Sequence, residues 1–363
     1  MSRRAAIHQF VPVLARHDAI GRHTVQLRRL LQDMGLDSEL FVADAHPDLD
    51  VPTHDPASFR PEPGVPTWLL YQASTDSDMA DDLVARPEPL ILDYHNITPA
   101  EMFAPWEPLV APGLRMARRQ LARLSPRSVL GLADSSYNAV ELDSLGCPRT
   151  VVAPILFDVS GFDVVPDRGV VERLAVGGGV RWLFVGRVAP NKAQHDVVRA
   201  FALYRRVFDP DARLCLVGGS SSDRYWRAVE GLVAELDLVD AVELAGSVSG
   251  EALAAYYESA DVFVCLSDHE GFCVPLLEAM HHGVPVVAFG SSAVPETLGA
   301  GGVCLPEKSP VLVAAAVDRV VSDPQVRDAL VAAGRRRLED FDLSRTRATF
   351  TTAIEALLAD AGV

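Results

Sequence analysis

Lysine is almost missing from this chain of 363 residues: Lys192 and Lys308 are the only two among 33 basic residues. Those 33 are outnumbered by 49 acidic residues, giving a net charge of −16. The chain as a whole therefore repels a polyanion, which disfavours general nucleic-acid binding. Cysteine is scarce as well. Cys147, Cys215, Cys265, Cys273 and Cys304 are scattered, odd in number and without C-x-x-C spacing. A disulfide framework or a zinc site is not expected, and a reducing cytoplasm fits best. There is no run of about 18 apolar residues, so no membrane-spanning helix is expected. The opening MSRRAAIHQFVPVLARHDAIG has an arginine pair and an apolar stretch, but His8 and Gln9 interrupt it. No small-residue cleavage site follows, and a signal peptide is not expected. Also absent are a G-x-G-x-x-G after the first apolar run, a G-x-x-x-x-G-K-[ST] and a G-x-S-x-G elbow. The first absence, with no ribose-binding acid after that run, speaks against a nicotinamide-dependent dehydrogenase.

What is present is an ordinary globular balance, 49% hydrophobic and 23% charged, at a length that predicts two domains. One pattern repeats: a short aliphatic run, a Gly/Asp/Ser break, then an amphipathic stretch of helical length. The runs Ala5–Val13, Glu39–Ala43, Trp68–Gln72, Leu90–Tyr94, Val129–Ala133 and Thr150–Ala153 form a first series. Helices are expected between them at Arg22–Met34, Pro112–Leu124 and Asn138–Leu145. A second series comprises Trp182–Val185, Leu214–Val217, Val242–Leu244, Val262–Leu266 and Val284–Ala288, with helices starting near Gln194, Asp223, Gly250 and Pro275. Continuous apolar runs alternating with helices predict parallel sheets covered on both faces, an α/β protein of two doubly wound halves. Phe157–Gly179, glycine-rich and without an apolar period, is the expected linker. In such folds ligands bind beyond the carboxyl ends of the strands, so a cleft between the halves would collect those loops.

Two segments place chemistry at strand ends. In DVFVCLSDHEGFCVPLLEAMHHGVPVVAFGSSAVPE, Asp261–Glu296, Glu270 follows a strand and Pro275 opens a helix. The amides of Gly271, Phe272, Cys273 and Val274 then lie at a helix N-terminus, a seat for a diphosphate or a sugar hydroxyl. Glu278, eight residues after Glu270, can line the same cleft. Each acid alone reads as a cap or a solvated helix residue; together, flanking Gly-Phe and Pro, they read as a site. In WLFVGRVAPNK, Arg187 and Lys192 put two cations at a strand's carboxyl end, a guanidinium fork and an ammonium point charge suited to phosphate oxygens.

The combination Gly186-Arg187…Lys192 with Glu270-Gly-Phe-Cys-Val-Pro-Leu-Leu-Glu278-Ala-Met…Gly283-Val-Pro-Val-Val resembles the retaining glycosyltransferases of family 4, whose spaced glutamates form an E-x7-E signature. The resemblance is dense over about 181–330 and thinner before residue 155. It implies the GT-B fold, two Rossmann-like domains facing across a cleft. On this reading, residues 1–160 and the C-terminal helix 345–363 make an acceptor-side domain, and 161–344 make the nucleotide-sugar donor domain. It implies that Glu270 holds donor-sugar hydroxyls, that Glu278 binds the ribose, and that Arg187 and Lys192 neutralise the diphosphate. Val248 in AGSV falls where such enzymes touch the base. Gly21 matches a glycine loop approaching donor phosphate, and His95 in LDYHNITP a histidine facing the reacting sugar. Three departures stand out: Ile20-Gly21 where two glycines are common, Cys273 in place of a glycine, and Ser291-Ser292 in place of a glycine pair. The last two narrow the pocket.

The implied reaction transfers a hexosyl group from a nucleotide-diphosphate sugar to a hydroxyl of a glycan, lipid-linked glycan or small glycoside, with retention. The cations and the helix N-terminus supply the positive field, so no metal and no cofactor is expected. Asp76-Ser77-Asp78 precedes a helix and reads as an N-cap rather than a metal motif. His8, His17 and His23, and the pair His281-His282, read as structural. Arg115, Arg118, Arg119, Arg123 and Arg127 read first as a solvated helix face. The sharper alternative is peripheral docking on the anionic inner face of a membrane. A nucleotide-sugar binding module without catalysis is the leading reading from another class.

Overall fold

The computed structural model describes residues 5–15, 19–46, 51–156 and 158–363. The chain divides into two compact units, the first made of Met1–Ala100, Leu109–Asp158 and Phe341–Val363, the second of Glu101–Pro108 and Val159–Asp340. His17 and Phe157 lie outside the described residues.

In the first unit six strands, β1 (Ala6–Leu14), β2 (Leu40–Ala45), β3 (Thr67–Ala73), β4 (Leu90–Tyr94), β5 (Ser128–Ala133) and β6 (Thr150–Val152), form one parallel sheet of order β2-β1-β3-β4-β5-β6. Every residue of β3 and β4 is buried, which is why these strands read as unbroken apolar runs. The C-terminal helix Leu343–Asp360 belongs to this unit. Its Phe350 and Ile354 are fully buried with Leu27, Leu31 and Leu70, and Arg347 pairs with Asp33 at 2.6 Å.

The second unit repeats the plan with β7 (Arg181–Val185), β8 (Arg213–Val217), β9 (Val242–Gly246), β10 (Val262–Cys265), β11 (Val286–Phe289) and β12 (Val303–Leu305), parallel and ordered β12-β11-β10-β7-β8-β9. Trp182 is fully buried at its centre, edge-on to Phe201 at 5.6 Å. The segment 101–108 is held here because Trp106 packs edge-on against Tyr225 and Ser222 Oγ donates to Glu107 at 2.7 Å.

The structure contains elements that the sequence reading does not. The expected linker holds the helix Arg168–Ala175, started by Asp167, whose carboxylate accepts from the amides of Gly169 and Val170. It packs on the helix Gly250–Ser259. The helix Asp78–Ala85, by contrast, starts where Asp76-Ser77-Asp78 places it, with Ser77 capping it by accepting from the Met79 amide at 3.3 Å. Strand β12, three residues between glycines and a proline, has too short an apolar run to register as a strand.

Both sheets reverse direction once. In the second unit the chain runs from β7 outward to β9, then restarts at β10 on the other side and runs out to β12. The crevice between β7 and β10 is therefore a topological switch point, where doubly wound sheets bind ligands. The corresponding point in the first unit lies between β1 and β3.

Candidate functional site

The loops after β7 and β10 flank the second unit's switch point, and they carry the residues singled out from the sequence. Gly186 and Gly218 end their strands at φ of 152° and 141°, and a Cβ on Gly218 would stand 2.2 Å from the Gly186 carbonyl oxygen. Two strand-end loops can approach this closely only over glycine. Arg187 then projects as an exposed side chain. The short turn Pro190–Lys192 brings Lys192 to Glu270, its Nζ donating to both carboxylate oxygens at 2.6 and 2.7 Å. The pair is mostly desolvated, with side-chain exposures of 19% and 7%. Burial acts to lower the Lys192 pKa, but the Glu270 carboxylate outweighs it and the net direction is upward, so the ammonium stays charged.

The Glu270 loop is tied on several sides. Asn191 donates its side-chain amide to the His269 carbonyl at 3.1 Å and accepts the Asp268 amide on its own carbonyl at 2.8 Å. Ser292 Oγ accepts the Glu270 amide at 2.7 Å, and Ser291 Oγ donates to the Ser267 carbonyl at 2.5 Å. The two serines, standing where the resemblance would place a glycine pair, thus clamp this loop, a role hydrogen could not fill. Lys308, the other lysine, bridges Asp196 at 2.6 Å and Asp268 at 2.5 Å.

The helix Val274–His281 starts directly after the loop. Cys273 is its N-cap in the left-handed conformation, φ 76°, and no side chain caps the first turn. The positive end of the helix therefore sits beside Gly271 and Phe272 with no side-chain cap on its first turn. Glu278 is buried in the same helix, its Oε2 accepting from Tyr257 Oη at 2.9 Å. Tyr257 in turn stacks on His282 at 4.9 Å and 7°. Neither Tyr257 nor the serine clamp was legible as functional. Val248 lies half-buried in the loop after β9.

In the first unit His95 directly follows β4, but its ring turns inward. Nδ1 faces the Asp134 carboxylate at 3.0 Å, and Nε2 faces Gln72 Oε1 at 2.5 Å. The amide orientation of Gln72 is fixed by a relay: its Nε2 donates to Gln9 Oε1 at 2.9 Å, and Gln9 Nε2 donates to the Thr24 carbonyl at 3.1 Å. A ring between two acceptors needs a hydrogen on both nitrogens, or a protonated Asp134 that donates to Nδ1. Burial raises the Asp134 pKa, in the direction of the second form. Alongside, His23 Nε2 meets Asp93 at 2.8 Å while its Nδ1 accepts the Leu156 amide. From sequence alone His23 reads as structural, and Asp93, Asp134 and Gln72 carry no signal. Gly21 sits in the helix Ala19–Asp33, where an added Cβ would fall 2.1 Å from the Ala15 carbonyl oxygen.

Among the described residues, two clusters have metal-ligand atoms within 4.8 Å of one another, His23–Asp93–His95 and Cys265–Glu270–Cys273. The carboxylate of the second is already neutralised by Lys192. Among the arginines of the helix Ala111–Leu124 and the residues after it, Arg118 pairs with Glu141 at 2.5 Å, Arg123 with Asp81, and Arg127 donates to the Glu88 carbonyl at 2.8 Å. The basic stretch is thus largely committed within its own unit. No described helix is long and apolar enough to cross a membrane.

Two sets of comparisons bear on this geometry. The fold is the two-Rossmann GT-B fold. The chain matches sucrose-phosphate synthase from Thermosynechococcus elongatus with a TM-score of 0.77 at 20% identity, covering 98% of this chain and 100% of that one. Anabaena HepE, solved with UDP and glucose, matches with a TM-score of 0.74 at 16% identity over 97% and 100%. Residues 175–337 match the family model described as glycosyl transferases group 1. In sequence the chain is 30% identical over 251 residues to a D-inositol 3-phosphate glycosyltransferase of Kineococcus radiotolerans, covering 64% of this chain and 58% of that protein. It is 33% identical over 248 residues to a GDP-mannose-dependent α-(1-6)-phosphatidylinositol monomannoside mannosyltransferase of Mycolicibacterium smegmatis, 64% of each. The aligned part thus spans less than two thirds of either relative.

Proposed function

We propose that the chain is a retaining glycosyltransferase that takes a hexosyl group from a nucleotide-diphosphate sugar and places it on a hydroxyl acceptor. The observation that carries this reading is the pairing of Lys192 with Glu270 at a switch point, beside the uncapped start of the helix Val274–His281 and the exposed Arg187. Lys192, Arg187 and the amides of Gly271 to Val274 hold the diphosphate and stabilise it as it leaves. Once Lys192 turns to phosphate, the Glu270 carboxylate is released to accept sugar hydroxyls. Glu278, oriented by Tyr257, accepts from the ribose, and Val248 contacts the base. For the first unit taken by itself, the reading carries over Gly21 and His95 from the resemblance, and the His95 ring there is held between Asp134 and Gln72. The positive charge at the site makes a metal dispensable and no cofactor is used. The relatives' names support an acceptor bearing an inositol or a lipid-linked sugar. The proposed setting is the cytoplasm.

Calorimetric titration with UDP, GDP, ADP and TDP, alone and as sugar conjugates, tests the reading. At least one nucleoside diphosphate should bind in the presence of EDTA, and its sugar conjugate should be hydrolysed slowly without acceptor. Binding without turnover would favour a non-catalytic module, and no binding would remove the nucleotide reading altogether.

A further inference from the structure

Cys265 and Cys273 are two of the four buried cysteines, and the proposed reaction uses the thiol of neither. Cys265 ends β10, in the interior of the sheet between β7 and β11. Cys273 begins the helix Val274–His281 in a left-handed loop conformation. Their sulfurs lie 3.9 Å apart and share a hydrogen bond. A disulfide needs about 2.05 Å, so closing the bond requires the sulfurs to approach by roughly 1.9 Å. Cys265 sits in a strand paired on both sides, which leaves Cys273 and the loop before it to move. That loop, Ser267–Phe272, carries Glu270.

The surroundings suit oxidation better than metal binding. The third ligand-type group of this cluster, the Glu270 carboxylate, is covered on both oxygens by the Lys192 ammonium. A divalent cation would have to sit against that ammonium, whereas an ammonium near thiols favours the thiolate that attacks an oxidant. The hydrogen bond between the two sulfurs holds the Cys265 thiol below its ordinary pKa, and the same contact together with burial pushes Cys273 well up. One sulfur of the pair is thus prepared as nucleophile and the other as its resolving partner.

We propose that Cys265 and Cys273 form a reversible disulfide that closes the nucleotide site under oxidation by peroxide. The thiolate of one attacks hydrogen peroxide, cleaving the O–O bond to give a sulfenic acid and, after proton transfer, one water. The second thiol then displaces the sulfenic hydroxyl as a second water, forming the S–S bond. Two thiols lose two hydrogens, and one peroxide becomes two waters. The new bond draws Cys273 toward the sheet, moving the first-turn amides and the Glu270 loop away from the diphosphate position. A dithiol reverses it by exchange. The effect on binding rests on the nucleotide reading above; the bond itself does not.

The test uses the full chain with Cys304, the exposed cysteine, replaced by serine to prevent cross-linking between molecules. The reduced protein is treated with hydrogen peroxide and digested by a glutamyl endopeptidase. Cleavage after Glu258, Glu270 and Glu278 puts the two cysteines on different peptides. The expected result is a linked pair containing Cys265 and Cys273, the loss of two titratable thiols, and a fall of about tenfold or more in nucleoside diphosphate affinity, all reversed by dithiothreitol. Cys265→Ser, checked by circular dichroism for folding, should give no linked pair and keep its affinity after mild peroxide. Thiols that stay reduced, that pass to sulfinic acid without linkage, or that link with no change in affinity would each overturn the proposal. So would protection of the thiols by stoichiometric Zn²⁺ carried through purification. If the reduced protein binds no nucleoside diphosphate, the proposed function falls, while the linked peptides still report on the disulfide.

Discussion

Lys192 and Glu270 neutralise each other in a largely desolvated place, so removing either leaves the other a buried group without its partner. Lys192→Met would leave a buried carboxylate without its partner, a cost of about 3 kcal/mol. Thermal unfolding should show the loss, and Glu270→Gln in the same chain should recover part of it. Recovery of stability without recovery of nucleoside diphosphate affinity separates the ion pair from the phosphate contact. Affinity should fall at least tenfold in both variants, since a charge-assisted contact contributes about 1.5–3 kcal/mol. An unchanged affinity would reduce Lys192 to a structural partner of Glu270. Tyr257 makes a second residue-scale case. Removing its hydroxyl in Tyr257→Phe leaves Glu278 Oε2 without its 2.9 Å donor, at about 1–3 kcal/mol, and should weaken nucleotide binding through a misplaced Glu278. A melting temperature and an affinity both at wild-type values would show that the hydroxyl does neither.

At the scale of elements, the helices were legible where a cap or a proline marks the start. Ser77, Ser135, Ser222 and Ser249 each accept an amide in the first turn. Leu90–Tyr94 was read to the residue because a strand buried on both faces leaves a continuous apolar run. The buried polar network was not legible, because it depends on register across strands far apart in sequence. Gln72 stands beside Asp93 only through the β3–β4 pairing, and Asp134 reaches His95 from the end of the neighbouring β5. No spacing along the chain encodes those neighbours. The charged residues at strand ends were legible since each lies a few residues from its own strand. Gly21 gives a prediction at this scale. In Gly21→Ala the added methyl meets the Ala15 carbonyl at 2.1 Å, so the helix Ala19–Asp33 or the chain before it must shift. A loss of about 1–3 kcal/mol in thermal unfolding is expected, the usual cost of overpacking. Wild-type stability would show that this turn yields freely.

For the whole molecule, three imidazoles respond to burial in the same direction. Burial lowers the pKa of His8, His195 and His282 from the ordinary 6.5. The unfolded chain therefore binds protons that the folded chain refuses, and stability falls as pH drops from 6.5 toward the lowered native values. Above 6.5 this contribution is fully present. The melting temperature should be lower at pH 5.5 than at pH 7.5, and His195→Asn should narrow the gap; a gap of opposite sign would contradict the burial of these rings. The central claim joins metal-free diphosphate stabilisation to retention, and one experiment reads both. A nucleotide sugar of α configuration, chosen by its binding, is incubated with the protein in EDTA and followed by proton NMR, with water as acceptor until a better one is known. The first-formed sugar should carry the α configuration before mutarotation mixes it, and turnover should persist in EDTA. A β product, or turnover abolished by EDTA and restored by Mg²⁺ or Mn²⁺, would contradict the account.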